Sequence, residues 1–108
     1  YALGSVEGDI YIGGLVGEAY DSSLSIRNCY SAGKITGRSY VGGTIGYASY
    51  LKEQVSTYYD GVASGYKPTK WHDVAKTTEE MMNKETYKGW DFNNIWKIEE
   101  GRHYPYLD

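Results

Sequence analysis

A chain that repeats itself every 29 residues has few folds open to it, because each unit must bury its apolar face against a neighbour built like itself. Here Tyr1, Gly4, Gly8, Tyr11, Gly13, Gly14, Gly17, Ala19 and Tyr30 recur without a gap as Tyr30, Gly33, Gly37, Tyr40, Gly42, Gly43, Gly46, Ala48 and Tyr59. Chance matching at average residue usage gives roughly two such identities over a stretch of this length. Four more pairs keep a β-branched residue: Val6 with Ile35, Ile12 with Val41, Val16 with Ile45, and Ile26 with Val55.

Within a unit, each apolar run is only a few residues long and is bounded by glycines or polar turns. That pattern suits about three short strands and leaves no room for a helix of ten or more periodic residues. Equivalent strands then stack about 4.8 Å apart. Val6 over Ile35, Val16 over Ile45, and Ile26 over Val55 become the expected inward ladders. The glycines are expected to permit positive φ at corners, and at Gly13-Gly14 and Gly42-Gly43 to allow close approach of backbones. A phosphate-cradling loop fits poorly. The run Gly13–Gly17 lacks the lysine and hydroxyl of a P-loop and the spacing of a dinucleotide fingerprint, and it occurs twice.

Composition agrees with this pattern: 14 Gly and 13 Tyr stand beside one Phe and two Pro among 108 residues. Tyrosine packs well on a pleated, half-exposed surface. A formal charge of −3 with both signs interspersed argues against nucleic acid, whose non-specific binding rests on basic clusters. No apolar stretch approaches the ~20 residues needed to span a bilayer. Cys29 is the only cysteine, which excludes an intramolecular disulfide and a multi-cysteine metal site, and it reads as a small core residue. Tyr1 stands where a start methionine would, so the lack of a signal peptide does not argue for the cytoplasm.

After Asp60 the repeat fails. Residues 61–76 read as a turn-rich connector packing on the last coil, with Trp71 and Val74 available to fold back. Residues 77–108 read as a C-terminal cap. There Thr77-Thr78-Glu79-Glu80 supplies a capping box, followed by a helix from about Thr78 to Tyr87 that Gly89 ends. A strand-rich tail comes next, with Trp96-Lys97-Ile98 alternating and Glu100-Gly101 turning the chain into Tyr104–Leu107. An open stack exposes strand edges and core, and a cap covers them. The expected fold is therefore mainly β: a short β-solenoid or β-helix-like stack of two glycine-rich coils (units 1–29 and 30–58), with a C-terminal α+β cap containing one short helix. The whole is expected to be one cooperative domain.

The runs Ile12–Gly17, Ile26–Gly37 (with Asn-Cys-Tyr-Ser at its centre) and Val41–Gly46 resemble the GLUG motif, named for the run that stands here as Gly14–Gly17. The resemblance covers roughly residues 1–60. The second copy departs from it in Thr44 for leucine and in Ser56–Asp60 where Asn-Cys-Tyr-Ser would recur. The C-terminal segment is similar to the tail that often follows the last such repeat. The resemblance implies an extracellular or cell-surface bacterial protein of adhesin type, with related repeats beside the catalytic parts of some secreted immunoglobulin A peptidases. It also implies that this chain is the closing end of a longer one.

No catalytic, cofactor or metal site is expected. His72 and His103 form no zinc-ligand pattern, the adjacent pairs Glu79-Glu80 and Glu99-Glu100 do not suit glycosidase chemistry, and no serine lies in a nucleophile elbow. Tyr58 belongs to an aromatic group near the joint of coil and connector, in which Tyr47, Tyr50, Tyr66 and Trp71 are the candidate ligand contacts, since exposed aromatics stack on sugar rings or anchor protein partners. The expected function is a non-catalytic structural and adhesive module whose partner is a host or matrix protein or a glycan. The alternative is a carbohydrate-binding or accessory module of a secreted hydrolase or peptidase.

Overall fold

The computed structural model describes residues 1–68 and 73–107, and of residues 20–23 the backbone alone; the described residues are mainly β with one short α-helix. Unit 1 forms β1 (Val6–Glu7), β2 (Ile10–Gly13) and β3 (Val16–Arg27). Unit 2 forms β4 (Tyr30–Ser31), β5 (Ile35–Thr36), β6 (Ser39–Gly42) and β7 (Ile45–Val55), followed by β8 (Tyr58–Asp60). Like strands lie side by side in parallel: Val6 opposite Ile35, Ile12 opposite Val41, Val16 opposite Ile45. The hydrogen bonds run from one unit to the next, as from Val6 N to the Lys34 carbonyl and from Leu15 N to the Thr44 carbonyl. The sheets are small, of two or three strands each, and are not closed.

Two expectations about register need correction. Between Ala19 and Ser23 unit 1 carries two extra residues, and Lys52 is then extra in unit 2, so the pairing offset passes from 29 through 27 to 28. Ile26 therefore lies opposite Gln54, while Val55 faces Arg27 and is 42% exposed. The third ladder does not form, because the bulges turn Val55 outward. Likewise Tyr30 pairs with Tyr58 and Ser31 with Tyr59, whereas gapless matching equates Tyr30 with Tyr59. Local chemistry follows the shifted register: Asn28 and Ser56 both take positive φ (49° and 45°), and the next side chains, Cys29 and Thr57, both donate two residues back, to Arg27 O and Val55 O. Cys29 is thus half-buried at a turn and not a core residue. The polar residues expected to form turns between short strands are also strand, since β3 and β7 run for 12 and 11 residues. Ladder hydrogen bonds tolerate polar side chains on a two-stranded ribbon that faces water.

Glycine roles divide differently from expectation. No described repeat glycine has positive φ; Gly65, Gly89 and Gly101 do, all beyond the repeats. In the repeats that conformation falls to Tyr11, Asn28, Tyr40 and Ser56. What the repeat glycines supply is closeness. A Cβ on Gly14 would overlap the Ser31 side chain, and one on Gly43 would overlap the Tyr59 ring.

The outer side of unit 2 meets the following segment. β9 (Ala75–Lys76) pairs with β8, Ser64 O accepts from Ile35 N, and Asp73 Oδ1 accepts from Gly43 N at 3.1 Å. The helix α1 spans only Thr78–Met81, where a run to Tyr87 is expected from sequence. The capping box forms as its residues dictate, with Thr77 Oγ1 accepting from Glu80 N (3.1 Å) and Glu80 Oε1 from Thr77 N (2.9 Å). Accepting from Thr77 N holds the Glu80 carboxyl below its usual range. At the other end the freed carbonyls take side chains: Thr86 Oγ1 donates to Glu80 O and Tyr87 Oη to Met81 O, each at 2.6 Å. Asn83 then starts a separate 3-10 turn, Lys84–Thr86. These bonds stop the helix. Last, β10 (Trp96–Lys97) and β11 (Tyr106–Leu107) pair antiparallel.

The largest apolar cluster lies between this C-terminal segment and the side of the repeats. Tyr30 and Ala32 from unit 2 pack with Met81, Tyr87, Trp90 and Trp96, with Tyr58, Phe92, Ile98 and Tyr104 against them. Tyr1 stacks on Tyr30 with ring centroids 5.2 Å apart. Asp60 ties the parts together. Its buried carboxylate accepts from Val62 N and Ala63 N (2.8 Å each), Thr78 Oγ1 (2.7 Å) and Tyr104 Oη (2.6 Å). Burial, then the bond to Asp60, pushes the Tyr104 phenol up to about 12. Asp60→Ala leaves four donors without their acceptor and is expected to cost about 3 kcal/mol; a urea midpoint equal to that of the parent would refute this role.

Candidate ligand-contact site

The site is built at one corner of each unit. Tyr11 and Tyr40 take φ of 60° and 52°, a left-handed backbone that costs an ordinary L-residue about 1–2 kcal/mol. Glycines make the corner sterically feasible, since a Cβ on Gly17 or Gly46 would lie 2.7 Å from the carbonyl oxygen of Tyr11 or Tyr40. The parallel register then lays the two rings over each other, centroids 5.0 Å apart and 23° from coplanar. Tyr47 meets Tyr40 edge-on at 5.5 Å and 80°, and Tyr11 at 5.9 Å. Tyr40 remains 49% exposed.

Beside the rings runs a groove of about 480 Å³, whose walls include Thr36, Arg38, Tyr40, Val41 and Tyr66. Arg38 grips Asp9 of the other unit through two bonds, Nε to Oδ1 at 2.7 Å and Nη2 to Oδ2 at 2.9 Å, and its backbone N also donates to Asp9 O. Both side chains are largely exposed, so the pair contributes at most about 1 kcal/mol to stability. Across the groove, Tyr66 Oη donates to Val41 O at 2.6 Å and its ring lies 6.1 Å from that of Tyr59. The Tyr59 phenol is pushed up by burial first, then by Asp73 and Tyr66.

Of the four aromatics expected from sequence, Tyr66 lines this groove with Tyr40, and Tyr47 lies behind it against the Tyr40 ring. Tyr50 stands apart, 62% exposed on β7, and Trp71 lies outside the described residues, as does His72. Sequence reasoning missed Tyr11 and Tyr40. They were visible as a repeat identity, and the signal for exposure was their place beside the repeated glycine pair, at a corner and not on an inward ladder.

Other chemistry-bearing groups are engaged in local structure. Asp91 accepts from the backbones of Asn93 and Asn94 (2.9 Å each), which lowers its carboxyl. Glu100 accepts from Lys84 N, and His103 lies 3.6 Å from Glu99 at the surface. Among the described residues no group of three or more histidine, cysteine or acidic side chains could hold a metal ion.

Residues 8–36 match the family model of the GLUG motif. The matched stretch covers one full period, entering just before β2 and ending in β5, so it holds Asp9 and Tyr11 but not Arg38, Tyr40 or Tyr47. The site is shared between the GLUG motif and the copy that follows it. No curated protein and no solved structure matches the chain.

Proposed function

We propose that the chain is a non-catalytic structural and adhesive module: the closing section of a β-solenoid in a bacterial cell-surface or secreted protein, presenting its flank to a host or matrix protein or a glycan. The observation that carries this reading is the parallel, strand-for-strand pairing of the two units, which is how coils of a repeat stack on one another. The carboxylates of Asp60, Glu80 and Asp91 also hold turns and a helix start, which favours shape over reaction chemistry. In this reading the described residues of the connector 61–76 pack along the outer edge of unit 2, and residues 77–108 act as the cap along its side. The GLUG motif is a repeat module of surface and secreted proteins and fits that setting.

A stack is tested by lengthening it. Gly33 cannot accept a Cβ because the Gly4 carbonyl of the other unit is in the way, whereas a Cβ on Gly4 meets open space. Adding one further copy of residues 1–29 ahead of Tyr1 is expected to raise Tm and to lengthen the particle by about 4.8 Å in small-angle scattering. Gly4→Ala, harmless in the 108-residue chain, should become destabilising in the longer one. A flexible added copy, or a Gly4→Ala variant indifferent to it, would count against the solenoid.

A further inference from the structure

We propose that the groove beside Tyr40 binds a neutral oligosaccharide, with the Tyr40 ring, backed by Tyr11 and Tyr47, as its stacking surface and Arg38, held by Asp9, as the edge that reads hydroxyl groups. The site gives the adhesive part of the function its ligand, and rests on that part alone.

Three observations converge. First, an aromatic residue sits twice in a backbone conformation that asparagine or glycine adopts more readily, and the ring so placed is left half in water at Tyr40. A corner needing only its backbone shape, or only burial, is better served by other residues; a partly exposed aromatic ring is what tyrosine adds. Second, Tyr11 stacks on Tyr40 from the other unit at 5.0 Å and Tyr47 meets it edge-on, which fixes the Tyr40 ring where it lines the groove. Apolar faces of sugar rings pack on aromatic faces while their hydroxyls stay wet. Third, Arg38 lines the same groove as Tyr40 and is held by Asp9 through two bonds, so exposed donors and acceptors lie at the groove's edge. Adjacent hydroxyls of a pyranose, each both donor and acceptor, match such a set. The pair has no net charge and the chain carries −3 overall, which selects a neutral ligand over an anionic one.

The test is a 1H–15N NMR titration of the whole chain with cellohexaose, maltohexaose and β-1,4-galactohexaose in turn. At least one is expected to give saturable shifts centred on Tyr11, Arg38, Tyr40 and Tyr47, with Kd of about 0.1–1 mM. Tyr40→Asn separates ring from backbone, since asparagine tolerates the left-handed conformation: its Tm should not fall, while affinity should drop about tenfold or more. Tyr40→Phe should retain binding. Silence with all three sugars, or undiminished binding by Tyr40→Asn, would overturn the proposal. So would the same residues responding to a proline-rich decapeptide and not to sugar, since aromatic grooves also hold such peptides. Either failure leaves the stack itself untouched, because lengthening the chain tests that separately.

Discussion

Removal of residues 77–108 is expected to leave residues 1–76 without a cooperative thermal transition. The main apolar cluster draws only Tyr30 and Ala32 of its buried members from the repeats; Met81, Tyr87, Trp90 and Trp96 all come from the segment removed. Losing them exposes Tyr30, and the Tyr30 hydroxyl loses its bond to the Pro105 carbonyl. Asp60 loses Thr78 and Tyr104, two of its four donors. Each large side chain returned to water costs about 1.5–3 kcal/mol, and a small domain has only 5–15 kcal/mol in all. Two units are also fewer than the three or so that a repeat stack usually needs. Circular dichroism of the truncated chain should show a gradual change with temperature, together with aggregation. A sharp melt near that of the full chain would mean that the repeats stand alone and that the C-terminal segment is an accessory.

How much of this was legible in sequence depends on where each constraint resides. The pairing of Val6 with Ile35 and of Val16 with Ile45 was readable because identical spacing in two units imposes identical strand positions. The capping box at Thr77 and Glu80 was readable because it is local. The bulges in β3 and β7 were not, since two residues added to polar ribbon in unit 1 and one in unit 2 leave a net shift of a single residue, which shows little in a gapless match. That hidden shift moved Val55 outward and put Tyr58, not Tyr59, beside Tyr30. The short helix has a similar cause. Thr86 and Tyr87 end it through side-chain bonds to Glu80 and Met81, which helix propensity does not register. For the site, aromatic count pointed to the right surface but only partly to the right residues. The tyrosine rings meet through pairing across units, and the positive φ that presents them contradicts the default assignment of such corners to glycine.

Gly42→Val is expected to be the most damaging single substitution in the repeats. Any Cβ at this position would overlap the Ile45 carbonyl of the same corner, and backbone cannot swing aside as a flexible side chain can. The next element, β7, begins at Ile45, which is fully buried, so displacing that carbonyl also displaces a core residue and the start of the longest pairing of the fold. A loss of about 4 kcal/mol or more is expected, enough to leave much of the chain unfolded at room temperature. Gly42→Ala should already be severe, because the first carbon makes the clash. Two controls define the cause. Lys52→Ala alters an exposed residue and should change stability by no more than about 0.5 kcal/mol. Gly4→Ala removes a repeat glycine with free space around it and should be equally mild, so that glycine content as such is not what matters. Urea midpoints measured on all four variants decide the point: if Gly42→Ala and Gly4→Ala melt together, the corner is not held by close approach of backbone, and the reading of the paired glycines as contact positions fails with it.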